Sequence, residues 1–220
     1  MTARLSFEHE LQLLRENLIE MGHLIEEAIE KTLRAFETQD EALANEIIQG
    51  DRNINDIEKT IEARCLSIIL KQQPVARDLR IVTTALKVVT DMERIGDHAA
   101  DIAELIIREK RELVFNLVKH IPEMGLVAKA MVHDAVHAFT TISIDEAREI
   151  IARDDIVDDL FDQVKEEVAT LLRDSNENVD QCVDILMIAK YFERIGDHAV
   201  NICEWTEFHE TGSVNNIRIL

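Results

Sequence analysis

The 220-residue sequence is poor in the residues that form turns and break helices, with only 6 Gly and 2 Pro, and its aromatic content is only 4%. This composition argues against a protein built from sheets and turns. The 46% of hydrophobic residues are enough to bury a sizeable aliphatic core, which excludes a disordered chain. Together with the 31% of charged residues, they favour long helices. We therefore predict an all-α fold.

Positive charge is also scarce. The chain has 24 Lys and Arg against 44 Asp and Glu, which gives a formal net charge of −20 at pH 7. A field of this sign repels phosphate backbones and anionic lipid at long range. We therefore expect no nucleic-acid partner, whereas metal cations and basic protein surfaces stay open as partners.

Cysteine is rare, and no two cysteines form a CxxC pair. The three are Cys65, Cys182 and Cys203, and Cys65 falls at a core-facing position, which indicates a reducing compartment. The N-terminus lacks a basic stretch followed by an apolar one, and no window approaches 18 uninterrupted apolar residues. We expect a soluble, cytoplasmic protein without direct membrane insertion.

One heptapeptide occurs twice. Residues 93–99 and 193–199 both read ERIGDHA, and weaker matches link 34–36 to 137–139 and 46–48 to 149–151. We interpret this as the duplication of a three-helix unit. The predicted architecture is two tandem, pseudo-symmetric, antiparallel three-helix bundles at 1–112 and 113–206, followed by an irregular tail at 207–220.

The helix boundaries follow from local signals. Apolar residues at a 3-4 spacing from Leu11 to Ala35 predict a long amphipathic first helix. Residues 38–41 and 143–146 match the capping-box pattern and should each open the second helix of a bundle. Pro74 and Pro122 mark the starts of new helices, since proline suits a first helical turn.

Each copy of the heptapeptide carries a row of acidic residues. On a helix, Glu93, Asp97 and Asp101 lie four residues apart and share one face. The preceding helix of each unit offers a similar pair, which antiparallel packing would bring alongside. The candidate metal ligands are therefore Asp51, Asn55, Glu93, Asp97 and Asp101 in the first copy, and Asp154, Asp158, Glu193, Asp197 and Asn201 in the second. Such oxygen-rich sets suit Fe, Mn, Mg, Ca or Zn.

A row of carboxylates on a helix is ordinarily its solvated face. Seven identical residues in two otherwise diverged halves favour a functional role instead. Gly96 and Gly196 lie inside the motif helices, where each costs about 1 kcal/mol relative to alanine, so we expect a close approach of another helix at these positions. Because Asn55 stands where the second copy has Asp158, we expect the second copy to bind metal more strongly.

Other candidates are weaker. Arg94 and Arg194 lie beside the carboxylates and could neutralise them or bind an anion. His98 and His198 are out of line with the acidic rows, which argues against a ferritin-type di-metal oxidase. The HDAVH sequence at 133–137 resembles a zinc-protease motif, but Asp replaces the Glu base and no third ligand is evident.

The chain from about Ser6 to Trp205 resembles the PhoU family of phosphate-uptake regulators. The resemblance rests on the duplicated heptapeptide and on the pairs Asp51/Asn55 and Asp154/Asp158 of the preceding helices. That resemblance implies a cytoplasmic, non-enzymatic adaptor that links a phosphate ABC transporter ATPase to a sensor histidine kinase and represses the phosphate-starvation response. It also implies metal clusters, of Fe, Zn, Mn or Mg, on the acidic faces, and we expect a homodimer. The competing interpretations are a carboxylate-bridged metallohydrolase and a metal-free structural adaptor.

Overall fold

The computed structural model describes residues 3–108, 118–174, 179–214 and 217–218. The helices of this part of the chain are α1 (Ala3–Thr38), α2 (Glu41–Gln72), α3 (Arg77–Arg108), α4 (His120–Thr141), α5 (Ile144–Ile151), α6 (Asp154–Asp174) and α7 (Val179–Thr211). Two short strands, β1 (Ser213–Val214) and β2 (Ile217–Arg218), pair antiparallel after α7. The predicted all-α class is confirmed, and this small hairpin is a departure from it.

The helices form two bundles that share one core. In the first half α1, α2 and α3 pack against one another, and in the second half α4, α6 and α7 do so, with α5 against α4 and α7. In addition, α3 packs along α7 and α1 packs along α4, so one apolar cluster runs through both halves. The predicted division between 112 and 113 lies in residues 109–117, outside the described residues, and the domain boundaries stay a prediction.

The two halves differ at their second helix. In the first half α2 is continuous, whereas in the second half α5 ends at Ile151 and α6 begins at Asp154. At the break, the N–H of Arg153 donates to the carbonyl of Ile150 at 2.9 Å, three residues back instead of four. The prediction that one helix opened by residues 143–146 forms the second helix of the second bundle was therefore wrong, since two helices occupy that position. The break places Asp154 in the first turn of α6.

The capping boxes are also absent in the predicted form. The N-cap of α2 is Asp40, whose Oδ1 accepts hydrogen bonds from the N–H groups of Ala42 at 2.9 Å and Leu43 at 3.0 Å. The hydroxyl of Thr38 instead donates to a backbone carbonyl inside α1. Ser143 stands at the N-cap of α5 without a side-chain hydrogen bond. Aspartate caps well because its carboxylate reaches free N–H groups in the first turn and faces the positive end of the helix dipole.

The tail expected to be irregular from residue 207 is helical as far as Thr211. Burial of Phe208 and His209 anchors this last turn. Arg80 of α3 stabilises it further, because its guanidinium donates to the carbonyls of His209 at 2.9 Å and Glu210 at 3.1 Å, which have no partner within the helix. Gly212, with φ of 75°, then ends the helix in the left-handed conformation.

Candidate functional site: two acidic faces

The first acidic face lies where α2 and α3 pack together. It consists of Asp51, Asn55 and Glu58 on α2 and of Glu93, Asp97 and Asp101 on α3. Gly96 permits the close approach of the two helices: a Cβ at this position would lie 2.9 Å from Cδ1 of Ile54 and 3.6 Å from Oδ1 of Asp51. The close approach predicted from the glycine is confirmed.

The carboxylates of the first face repel one another. Burial raises the pKa of Asp51, and the charge of Asp97 raises it further. Burial and Asp97 likewise raise the pKa of Glu93. The amide of Asn55 donates to Oδ2 of Asp51 at 2.8 Å and opposes the effect on Asp51, but Oδ1 of Asp51 is buried without a hydrogen-bond partner. Oδ1 of Asp51 therefore has lone pairs free to coordinate a cation.

The second acidic face repeats this arrangement between α6 and α7. It consists of Asp154, Asp158, Glu193 and Asp197. Burial, followed by the charge of Asp158, raises the pKa of Asp154 to about 6, and its Oδ1 is buried without a hydrogen-bond partner. A Cβ at Gly196 would lie 3.2 Å from that oxygen. Both halves thus bring an unpartnered aspartate oxygen against a motif glycine.

The arginines of the motif pair with its carboxylates. Of the two roles considered for them, neutralising the carboxylates or binding an anion, this pairing matches the first. Nη1 of Arg94 lies 3.0 Å from Oδ2 of Asp97, and Nη1 of Arg194 lies 3.0 Å from Oδ2 of Asp197. All four side chains lie at the surface or are only partly covered, and such pairs contribute a few tenths of a kcal/mol. The arginines neutralise the outer part of each face and leave the buried aspartate oxygens uncompensated.

Asn201 does not join the second face. Its amide donates to Oδ1 of Asp91 at 3.0 Å, across the contact between α3 and α7. Nδ1 of His198 lies 2.8 Å from the same oxygen, and the rings of His198 and His98 are 5.5 Å apart between centroids. The motif histidines therefore meet each other at the junction of the halves. The ring of His98 also stacks on that of Tyr191 at 5.4 Å.

Two residues of the faces were missed by sequence reasoning. Glu58 lies one turn beyond Asn55 on α2, and its pKa is raised by burial, then by the charge of Glu62 and, least, by that of Asp97. Lys190 lies one turn before Glu193 on α7, and its ammonium pairs with that carboxylate. Extending each row by one turn would have found both residues, because positions three or four apart share a helix face.

The HDAVH sequence is not a metal site in this structure. Nδ1 of His133 lies 3.1 Å from Glu26, and Nδ1 of His137 lies 3.1 Å from Glu146. The carboxylate of Asp134 pairs with Arg153. The three polar side chains have separate partners, so they do not converge.

The two faces suit a metal by chemistry rather than by preformed geometry. Their carboxylate and amide oxygens are the donors that hard cations prefer, and the unpartnered oxygens of Asp51 and Asp154 have free lone pairs. Across the described ranges, no group of three or more His, Cys, Asp and Glu side chains is already positioned to hold a metal ion. A cation would therefore have to draw these side chains together.

Two copies of a three-helix unit, each with an acidic face between its last two helices, define a tandem-repeat helical-bundle protein. A family model described as the PhoU domain matches residues 18–106 and again 121–206. The chain belongs to the PhoU family.

Named relatives cover nearly the whole chain. It is 41% identical over 207 residues to the phosphate-specific transport system accessory protein PhoU homolog of Clostridium acetobutylicum, covering 94% of each chain. It is 32% identical over 206 residues to the phosphate-specific transport system accessory protein PhoU of Escherichia coli, covering 94% of this chain and 86% of that one.

Solved structures of the family have the same fold. The crystal structure of PhoU from Pseudomonas aeruginosa superposes with a TM-score of 0.86 at 30% identity, covering 94% of this chain and all of that one. The structure of the phosphate transport system regulatory protein PhoU from Streptococcus pneumoniae gives a TM-score of 0.88 at 29% identity, covering 96% of this chain and all of that one. In the part of the chain that the structure describes, no helix has the length and apolarity needed to span a bilayer.

Proposed function

We propose that this protein regulates a phosphate transport system. The observation that carries the proposal is the similarity over 94% of the chain to relatives named as accessory proteins of such systems. In the finer form of the proposal, the protein is a cytoplasmic, homodimeric adaptor. It contacts the ATPase subunit of a phosphate ABC transporter and a sensor histidine kinase, and it represses the phosphate-starvation response.

Two physical features support an adaptor role. The duplicated bundle presents two similar faces on a body with one continuous core, so it suits two equivalent surfaces of a dimeric ATPase. The net charge of −20 favours fast, salt-sensitive docking onto a basic surface. A cavity of about 300 Å³ lies at the junction of α1, α3, α4 and α7. None of the residues that line it belongs to either acidic face, so the acidic residues do not form a catalytic pocket there.

A deletion strain tests the regulatory role. Expression of phosphate-starvation genes in phosphate-replete medium should become constitutive when the gene is removed and should be restored by the intact gene. Phosphate-dependent control that survives the deletion would contradict the proposal. Binding of the purified protein to the transporter ATPase and to the kinase should weaken as salt rises, since screening shortens the reach of charge.

We also propose that both acidic faces bind metal, with a structural rather than a catalytic role. The first would use Asp51, Asn55, Glu93, Asp97 and Asp101, with Glu58 added, and the second would use Asp154, Asp158, Glu193 and Asp197. Bound metal would supply positive charge that neutralises the repulsion within each face and fixes the paired helices. The unpartnered oxygens of Asp51 and Asp154 support this proposal.

Metal analysis of protein purified without chelator or affinity nickel tests this part. Replacing Glu93, Asp97, Glu193 and Asp197 by Ala should abolish stoichiometric binding of Fe, Zn, Mn or Mg. Binding that survives all four substitutions would place the ligands elsewhere. A metal-dependent hydrolase activity lost with Glu193→Ala would instead favour the metallohydrolase interpretation.

A further inference from the structure

The second acidic face already contains a positively charged side chain, that of Lys190. Lys190 lies one turn before Glu193 on α7, and its ammonium contacts both carboxylate oxygens of that residue. The side chain of Glu193 is 13% exposed and that of Lys190 is 34% exposed, so this pair is better shielded from water than an ordinary surface pair. Partial burial strengthens the attraction between the two charges.

A second helix helps to hold the lysine in place. Nζ of Lys190 lies 5.3 Å from the ring centroid of Phe161 on α6, within the range of a cation–π interaction. Phe161 follows Asp158 by one turn of α6. Burial, followed by the charge of Glu193, raises the pKa of Asp158, and the charge of Lys190 offsets only part of that rise. The ammonium thus contacts α7 and α6 at the level of the predicted ligands.

The first face lacks both features. Thr90 stands where the second copy has Lys190, and its hydroxyl donates to the backbone carbonyl of Leu86 at 3.2 Å. Glu58 stands where the second copy has Phe161, so this position adds a carboxylate instead of an aromatic ring. The positively charged side chain beside Glu93 is that of Arg94, whose Nε is 3.5 Å from the carboxylate and whose Nη1 pairs with Asp97 at 3.0 Å.

We propose that Lys190 is a built-in counter-ion of the second acidic face, which a divalent cation must displace from Glu193 in order to bind there. Both faces carry a motif arginine at their outer edge, but only the second must also release the ammonium group of a lysine when the metal cation binds. This inference rests on the proposed metal binding. It predicts the opposite order of metal affinity from the one expected from Asn55 and Asp158. The negative charge that Asp158 adds to the second face is neutralised by the positive charge of Lys190.

Exchanging the two residues tests the proposal. Lys190→Thr is measured in a chain whose first face is disabled by Glu93→Gln and Asp97→Asn, and Thr90→Lys in a chain whose second face is disabled by Glu193→Gln and Asp197→Asn. Mn²⁺ is the probe, with affinity measured by calorimetry and by the electron paramagnetic resonance signal of free Mn²⁺. We expect Lys190→Thr to tighten binding about tenfold and Thr90→Lys to weaken it by a similar factor.

Two further variants separate charge from packing. Lys190→Met keeps an unbranched side chain but removes the charge, and it should tighten Mn²⁺ binding as Lys190→Thr does. Lys190→Arg keeps the charge and should retain the affinity of the parent chain. An effect of Lys190→Met smaller than twofold would overturn the displacement, and thermal unfolding of each variant confirms that it is folded.

A direct readout follows the lysine itself. When Mn²⁺ is added to the chain with the first face disabled, displacement should speed the acetylation of Lys190 by acetic anhydride several-fold. Lys165, whose ammonium lies 5.0 Å from the centroid of the same ring but pairs with Asp162, is the internal control and should keep its rate. An unchanged rate at Lys190 with Mn²⁺ bound would overturn the displacement alone. Absence of Mn²⁺ binding in the unmodified protein would overturn the proposed metal binding as well.

Discussion

Oδ1 of Asp91 lies 2.8 Å from Nδ1 of His198, and this contact joins α3 of the first half to α7 of the second. The same oxygen accepts a hydrogen bond from Asn201 at 3.0 Å. The pseudo-symmetric position of Asp91 is Tyr191, which stacks on His98 instead. One carboxylate therefore satisfies two polar groups of the opposite half where α3 packs on α7.

Removing Asp91 should weaken the junction. Asp91→Ala leaves the partly buried donors of His198 and Asn201 without their acceptor, and we expect a loss of about 1–3 kcal/mol in the free energy of unfolding. Urea denaturation measures the loss. In a double-mutant cycle with His198→Ala, the two substitutions should couple by more than about 0.5 kcal/mol, and full additivity would contradict a direct interaction.

The raised pKa of Asp154 should make the stability of the metal-free protein depend on pH. Its ordinary value is 3.8 and its value in the folded chain is about 6, so the folded state holds the proton more tightly than the unfolded state. Stability therefore falls as pH rises between these two values, and the loss is complete above about pH 6.

Asp154→Asn should recover that loss. We expect the variant to be more stable by about 1 kcal/mol at pH 7.5, less than the full pKa shift implies because the carboxyl is partly exposed to water. The gain should vanish below about pH 4, where Asp154 is protonated in both states. Asp155→Asn is the matched control, since Asp155 is an exposed residue of the same helical turn. Thermal unfolding in chelator across this pH range measures both variants.

Three helical glycines should respond differently to alanine. A Cβ at Gly50 has nothing within 4 Å, so Gly50→Ala should stabilise the protein by up to about 1 kcal/mol through helix propensity. At Gly96 the methyl would lie 2.9 Å from Ile54, and this contact should cancel or outweigh the gain. At Gly125 it would lie 2.3 Å from Leu33 and 3.0 Å from Phe192, which is fully buried, so we expect a loss of about 1–3 kcal/mol. Chemical denaturation gives the order, and a stabilising Gly125→Ala would show that the helices separate easily.

The three cysteine thiols should react slowly in the native protein. All are buried, and burial raises the pKa of Cys65 and of Cys203 to about 12. Because the thiolate is the reactive form, alkylation by iodoacetamide at pH 8 should be much slower than in denaturant, where all three should be modified. Mass spectrometry counts the modified thiols. Rapid modification of Cys65 under native conditions would mean that α2 opens locally.

The sequence alone determined the helical class, the duplication and the positions of most acidic residues of the two faces, because these depend on periodicity along single helices and on repeated letters. Packing across helices decided the rest. Asn201 and the motif histidines turn to the junction of the halves, which no single-helix pattern can show, since their partners Asp91 and Tyr191 are about a hundred residues away in sequence. The burial of Phe208 likewise depends on contacts between elements. The pairing of Lys190 with Glu193 is local in sequence, yet its contact with Phe161 exists only because α6 packs on α7.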